Sequence, residues 1–159
     1  MPIGDAGPSV FSILAARRVI EGEVAALAAQ APRAGDLRAL KDLIAEQKDA
    51  ITQGRSAHAE DRRFHLAIAA MAGNEVLTGI VGMVWADMFT PVFERLALKT
   101  TGPGKARSTL ADHEAILAAL TARDPAQARA AMHDHIAHTE ALFLDEPPSA
   151  RTRRRGASA

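Results

Sequence analysis

Apolar residues recur at three- and four-residue spacing through six successive segments of this sequence, a period that suits helices and not strands. The segments run from about Ser9 to Gln30, Asp36 to Thr52, Ser56 to Met71, Glu75 to Leu98, Ser108 to Ala122 and Asp124 to Phe143. Composition agrees: 35 of the 159 residues are alanine, the best helix former, and aromatic residues are scarce. The expected fold class is all-α, with about six helices.

The breaks are legible too. Ala72-Gly73-Asn74 ends the third segment, with glycine free to take a left-handed cap. Thr90-Pro91 should kink or divide the fourth, and Thr101-Gly102-Pro103-Gly104 reads as a loop. Asp124, Pro125 and Gln127 stand at the N-cap, first and third positions of the last helix. Glu146-Pro147-Pro148 ends it, which gives a helical domain over 1–146 and a tail over 147–159. The tail carries Arg151, Arg153, Arg154 and Arg155 and no acid, and reads as a disordered, solvated extension. The formal net charge of zero is therefore an average, with 15 basic and 19 acidic residues left on the helical part.

Several classes are excluded. Without cysteine there is no disulfide framework, thiolate metal site or cysteine nucleophile. The longest apolar stretch, Ile80 to Phe89, contains Asp87 and is shorter than the ~20 residues of a spanning helix. No membrane partner is expected, and the protein is read as soluble and cytoplasmic. Met83, Trp85, Met88 and Phe89 of the apolar fourth helix read as core, with a partner face as the alternative.

The informative residues are polar ones on apolar faces, because a buried charge needs a partner or a metal. With Phe64 as reference and a turn of about 100° per residue, Ile68 lies at about 40°, Asp61 at about 60° and His65 at about 100°. Asp61 and His65 thus sit in the apolar stripe, one turn apart, able to converge on one point. His113 falls amid Leu110, Ile116, Leu117 and Leu120, and His135 falls beside Ala128, Met132 and Leu142. His58 and His133 read as solvent residues, and His138 lies on the border. One inward histidine is an ordinary core residue. Three on three helices, with a helical Asp-x-x-x-His pair, point to a divalent metal held by Asp61, His65, His113 and His135. Imidazole and carboxylate donors suit zinc first, with nickel, manganese and iron as the other choices. Three His and one Asp can leave one or two positions open.

Arg17 is a further anomaly, centred on the apolar face formed by Ile13, Leu14, Ile20 and Val24. It either pairs internally with Glu21 or presents a guanidinium to an anionic ligand, whose carboxylate it matches bidentately. Beside a metal with open positions, a bridging carboxylate is the better reading.

The stretches ARRVIEGEVAALAA at 16–29, DRRFHLAIAAMAGN at 61–74 and DHEAILAALTARDPAQARAAMHDHI at 112–136 resemble the FCD domain, the effector-binding domain of FadR-subfamily GntR transcription regulators. The resemblance spans about residues 10 to 145. It implies an antiparallel helical bundle of about six helices with a central metal or ligand cavity, its metal held by an Asp and three His, which match Asp61, His65, His113 and His135. It implies that Arg17 contacts the carboxylate of a small organic-acid effector, and that the protein is a homodimer. Family members also carry an N-terminal winged helix-turn-helix that binds DNA. None precedes the first helix here, so DNA is expected as a partner only through a domain absent from this chain.

The expected function is thus an effector-binding sensor and not an enzyme. The alternatives are a metal-dependent hydrolase or lyase acting on a small organic acid, or a purely structural dimerisation module. An enzyme would need a general base, for which Glu114 and Glu21 are the nominees. HExxH, Glu-x-x-His pairs, a glycine-rich phosphate loop and GxSxG are all missing from the sequence.

Overall fold

The computed structural model describes residues 7–91, 93 and 103–144. Among them are six α-helices and no strand: α1 (Val10–Ala28), α2 (Ala34–Thr52), α3 (His58–Met71), α4 (Glu75–Ala86), α5 (Pro103–Thr121) and α6 (Pro125–Leu144). The antiparallel helical bundle implied by the resemblance is thus observed. α1 and α6 run antiparallel, since Arg18 lies 3.7 Å from Glu140 while Arg129 grips Glu23 at 2.6 and 2.8 Å. These exposed pairs report register more than stability. α3 packs against α1, α2 and α4, and α6 packs against α1 and α5.

The helix ends follow local chemistry. The side-chain oxygen of Ser9 caps α1 by accepting from Ser12 N. Gly73, at φ +69°, turns the chain out of α3, and Asn74 Oδ1 accepts from Val76 N and Leu77 N to open α4. α5 closes in a Schellman motif: Asp124 N donates to Ala119 O and Arg123 N to Leu120 O, with Arg123 itself at φ 55°. Asp124 then caps α6 through Gln127 N at 3.0 Å, as its sequence position predicts.

One expectation changes and another is met. α5 begins at Pro103, not near Ser108, so Pro103 and Gly104 are helical and not loop. Proline suits the first helical position, where its missing N–H would have no intrahelical partner. α4 stops at Ala86, passes into a 3₁₀ turn over Asp87–Phe89, and reaches an extended Thr90 (ψ 153°) before Pro91. The division expected there is therefore present. Thr101, Gly102, the stretch 94–98 and the tail 147–159 with its boundary at Glu146 lie outside the described residues.

The core is a single cluster that includes Leu14, Leu40, Phe64, Ile68, Trp85, Ile116, Leu120, Met132 and Ile136, all buried. Each large apolar side chain removed from water contributes about 1.5–3 kcal/mol. The fourth-helix assignment is split: Trp85 and Met88 are core, Phe89 packs at its edge, but Met83 is 70% exposed. Met83 lies on the outer side of α4 with Val76, away from the face that meets α1 and α3.

Candidate metal centre

Arg17, Glu21, Gln47, His65, His113 and His135 are buried polar residues inside this apolar cluster. Asp61 and His65, one turn apart on α3, meet His113 from α5 and His135 from α6. One donor atom from each of the four lies within 4.8 Å of all the others. Asp61 Oδ1 is 3.4 Å from His65 Nε2 and 3.1 Å from His113 Nε2. His65 Nε2 and His135 Nε2 are 3.2 Å apart. All four sequence-predicted residues are therefore brought together. Asp61 keeps 21% side-chain exposure, so the cluster sits one side chain from solvent.

The other ring nitrogens face outward to oxygen atoms. His65 Nδ1 donates to Glu21 Oε2 on α1, and His113 Nδ1 donates to Gln47 Oε1 on α2 at 2.7 Å. His135 Nδ1 faces Asp112 Oδ2 on α5 at 3.5 Å, a looser contact, and Asp112 also accepts from His138 Nδ1 at 3.0 Å. An acceptor at Nδ1 selects the tautomer whose Nε2 carries the lone pair. The lone pairs of His65 and His113 and one carboxylate oxygen then point at one another beside His135 Nε2, an arrangement that repels itself unless a cation or protons lie between them, and His135 Nδ1 is itself buried without a hydrogen-bond partner. Asp61 Oδ1 and His113 Nε2 are buried without a hydrogen-bond partner. The donor set fits a divalent ion that takes nitrogen and oxygen ligands.

The electrostatics are consistent with this. Burial raises the Asp61 carboxyl, but the His113 and His65 imidazoles beside it outweigh that and hold the group well below the carboxylate range. Burial likewise opposes ionisation of Glu21, yet Arg17 and His65 keep it at about 2. Burial lowers His113, and it lowers His135 to about 4 against the pull of Asp112. Both are thus neutral, as a ligand must be. His65 moves upward, because Glu21 and Asp61 overcome its burial.

Arg17 lies on the wall of this cluster. Its Nε donates to Glu21 Oε1 at 2.6 Å, so the internal pair weighed from the sequence exists. Its Nη2 is nevertheless 3.5 Å from both ring nitrogens of His65, and its guanidinium stacks 4.1 Å above Trp85. Of the two nominees for a general base, Glu114 is exposed, while both oxygens of Glu21 are engaged.

Three assignments need correction or addition. His58 is not a solvent residue: it stacks on Phe89 at 4.4 Å and its Nε2 donates to Met88 O at 3.3 Å. His133 is half-buried against Gly22 of α1, where a Cβ would come within 2.2 Å of its Nε2. His138 is exposed. The residues that sequence reasoning missed are Gln47 and Asp112. Gln47 falls on the Leu40–Ile44–Ile51 stripe of α2, so the test applied to the histidines would have found it. Asp112 had no such signal, being adjacent to His113 and directed instead at α6.

The family model described as the FCD domain matches residues 12–138. The chain belongs to the FCD domain family. The FCD domain here is 28% identical over 121 residues to the "Uxu operon regulator" of Haemophilus influenzae, covering 76% of this chain and 45% of that protein. It is 32% identical over 123 residues to the "Uxu operon transcriptional regulator" of Escherichia coli, covering 76% and 47%. The chain thus spans about half the length of the curated relatives it matches. Among solved structures, E. coli McbR/YncC superposes with a TM-score of 0.76 at 23% identity, over 85% of this chain and 64% of that one. Streptococcus agalactiae GntR gives 0.69 at 20% identity, over 88% and 64%. These two similarities establish the bundle fold.

Proposed function

We propose that this FCD domain is the effector-sensing part of a GntR-type transcription regulator, and that it senses a small carboxylate through a bound divalent metal and Arg17. Asp61 Oδ1 and the Nε2 atoms of His65, His113 and His135 hold the metal, with zinc the first choice and nickel, manganese or iron the others. The carboxylate enters an open coordination position and pairs with the Nη edge of Arg17, since Nε is taken by Glu21. The ligand then shifts helix packing by binding one arrangement of the bundle better than another.

The observation that carries this reading is the convergence of the four donors, with Asp61 Oδ1 and His113 Nε2 buried and unpartnered. The regulatory role is supported by the similarity to two Uxu operon regulators, one of them named a transcriptional regulator. DNA contact and homodimer formation belong, in this proposal, to the whole regulator, with DNA read by a domain outside this one. Among the described residues no helix is long and apolar enough to cross a membrane, which fits a cytoplasmic regulator.

The test is a thermal-shift screen of small organic acids on protein purified without a nickel column, with and without chelator. Stabilisation by an acid that disappears with chelator, and in Arg17→Ala, supports the sensor. Stabilisation by no acid in the metal-loaded protein argues against it, and turnover of a stabilising acid would favour an enzyme.

A further inference from the structure

Glu21 has two carboxylate oxygens and two buried partners that belong to different halves of the site. Oε1 accepts from Arg17 Nε at 2.6 Å, within α1, and Oε2 accepts from His65 Nδ1, on α3. The side chain of Glu21 is 3% exposed, and water is excluded from both contacts. A purely internal ion pair would need only the first contact. The second places a negative oxygen on the outward nitrogen of a metal-facing imidazole, where it fixes the tautomer and the ring direction.

Resting on the metal reading above, we infer that Glu21 is a positioning residue that couples Arg17 to the metal through His65. The i,i+4 geometry of Arg17 and Glu21 fixes the carboxylate on α1, and the carboxylate in turn fixes His65. Any change in how Arg17 is held therefore changes how His65 presents Nε2. An anion that draws Arg17 toward itself alters metal affinity by this route, in addition to any direct bond it makes to the metal. By linkage the metal alters the affinity for the anion equally.

The experiment needs no effector. Wild type, Glu21→Gln, Glu21→Asp, Arg17→Lys and the Arg17→Lys/Glu21→Gln double variant are stripped of metal and kept in carboxylate-free buffer. Zinc affinity is measured by competition with a chromophoric chelator, and thermal unfolding of the metal-free proteins checks that each is folded. Both Glu21 variants are expected to bind zinc about 10- to 100-fold more weakly. Glu21→Asp keeps the charge but cannot reach both partners, so it separates position from charge and stands in if Glu21→Gln does not fold. Arg17→Lys also keeps its charge, and is expected to weaken zinc several-fold alone but to add nothing to Glu21→Gln. If wild type binds zinc and the Glu21 variants bind it equally well, or the two substitutions are additive, the coupling is refuted and the metal centre stands. If wild type binds no zinc, both fall.

Discussion

Gln47 Oε1 lies 2.7 Å from His113 Nδ1, so a residue on α2 sets the direction in which an imidazole on α5 presents its other nitrogen. Gln47→Met keeps the volume and removes the acceptor. Zinc affinity is expected to fall about 10- to 100-fold, as for other outer partners of metal-bound histidine. The metal-free protein should change little in stability, because Gln47 Nε2 is itself buried and unpartnered. Isothermal titration with zinc and thermal unfolding in chelator measure the two quantities separately.

Metal content distinguishes the histidines. Asp61→Ala combined with His135→Ala should abolish binding of about one zinc per chain, and His133→Ala should leave it intact. Elemental analysis after dialysis reads both outcomes, and retention of zinc by the double variant would refute the ligand set.

The α1–α6 contact rests on the absence of a side chain at Gly22. Gly22→Ala places a methyl within 2.2 Å of His133 Nε2, so the imidazole must shift. Overpacking of this kind costs about 1–3 kcal/mol. His133→Ala should relieve much of that loss in the double variant. Denaturant unfolding of the four proteins in this cycle gives the coupling, and additive effects would show that the clash relaxes by another route.

A small gain is available at the turn between α5 and α6. Arg123 occupies the left-handed position of the α5 Schellman motif at φ 55°. Arg123→Gly removes the Cβ conflict there and should stabilise by up to about 1 kcal/mol, offset in part by the extra freedom of glycine in the unfolded chain. A rise in the urea midpoint without a change in slope would bear this out.

Acid should destabilise the metal-free protein. His113 and His135 have folded pKa values below the ordinary value of about 6.5, His135 at about 4. Between those limits the unfolded chain binds protons that the folded protein refuses, so stability falls as pH drops. Glu21 and Asp61, both depressed, contribute stability above the ordinary carboxylate range, and that contribution is lost as pH falls further. His65 acts the other way: its raised pKa stabilises at low pH, and the contribution is lost as pH rises through the folded value. Below about pH 6.5 the His65 contribution is already complete, so the two depressed histidines set a net decline there. Tm measured in chelator across this range should fall steadily, and a flat or rising Tm would contradict the assignment.

Most of the fold was legible because helix period and caps are local properties. Asp124, Pro125 and Gln127 mark a helix start within four residues, and Gly73-Asn74 marks a stop and a start together. The candidate ligands were legible for a related reason: His113 and His135 each stand among leucine, isoleucine and methionine on one helix face. What was hidden depends on two helices at once. His133 looks exposed on the wheel of α6, and only the glycine on α1 makes a place for it. His58 begins α3 with no apolar stripe of its own, and it is covered because the chain beyond α4 folds Phe89 back over it. Asp112 gains its meaning from His135 and His138, which lie more than twenty residues away.

Trp85 is the only tryptophan of the chain, and there is no tyrosine. It is fully buried, with Arg17 stacked on its ring and the His65 imidazole 5.0 Å away between centroids. Near-ultraviolet fluorescence from this protein therefore comes from one indole at the edge of the candidate centre, unmixed with emission from elsewhere. A paramagnetic ion such as Cu²⁺ entering among the histidines should quench it, and an anion displacing the guanidinium should shift its intensity. The domain carries its own optical reporter, and binding can be followed without a label.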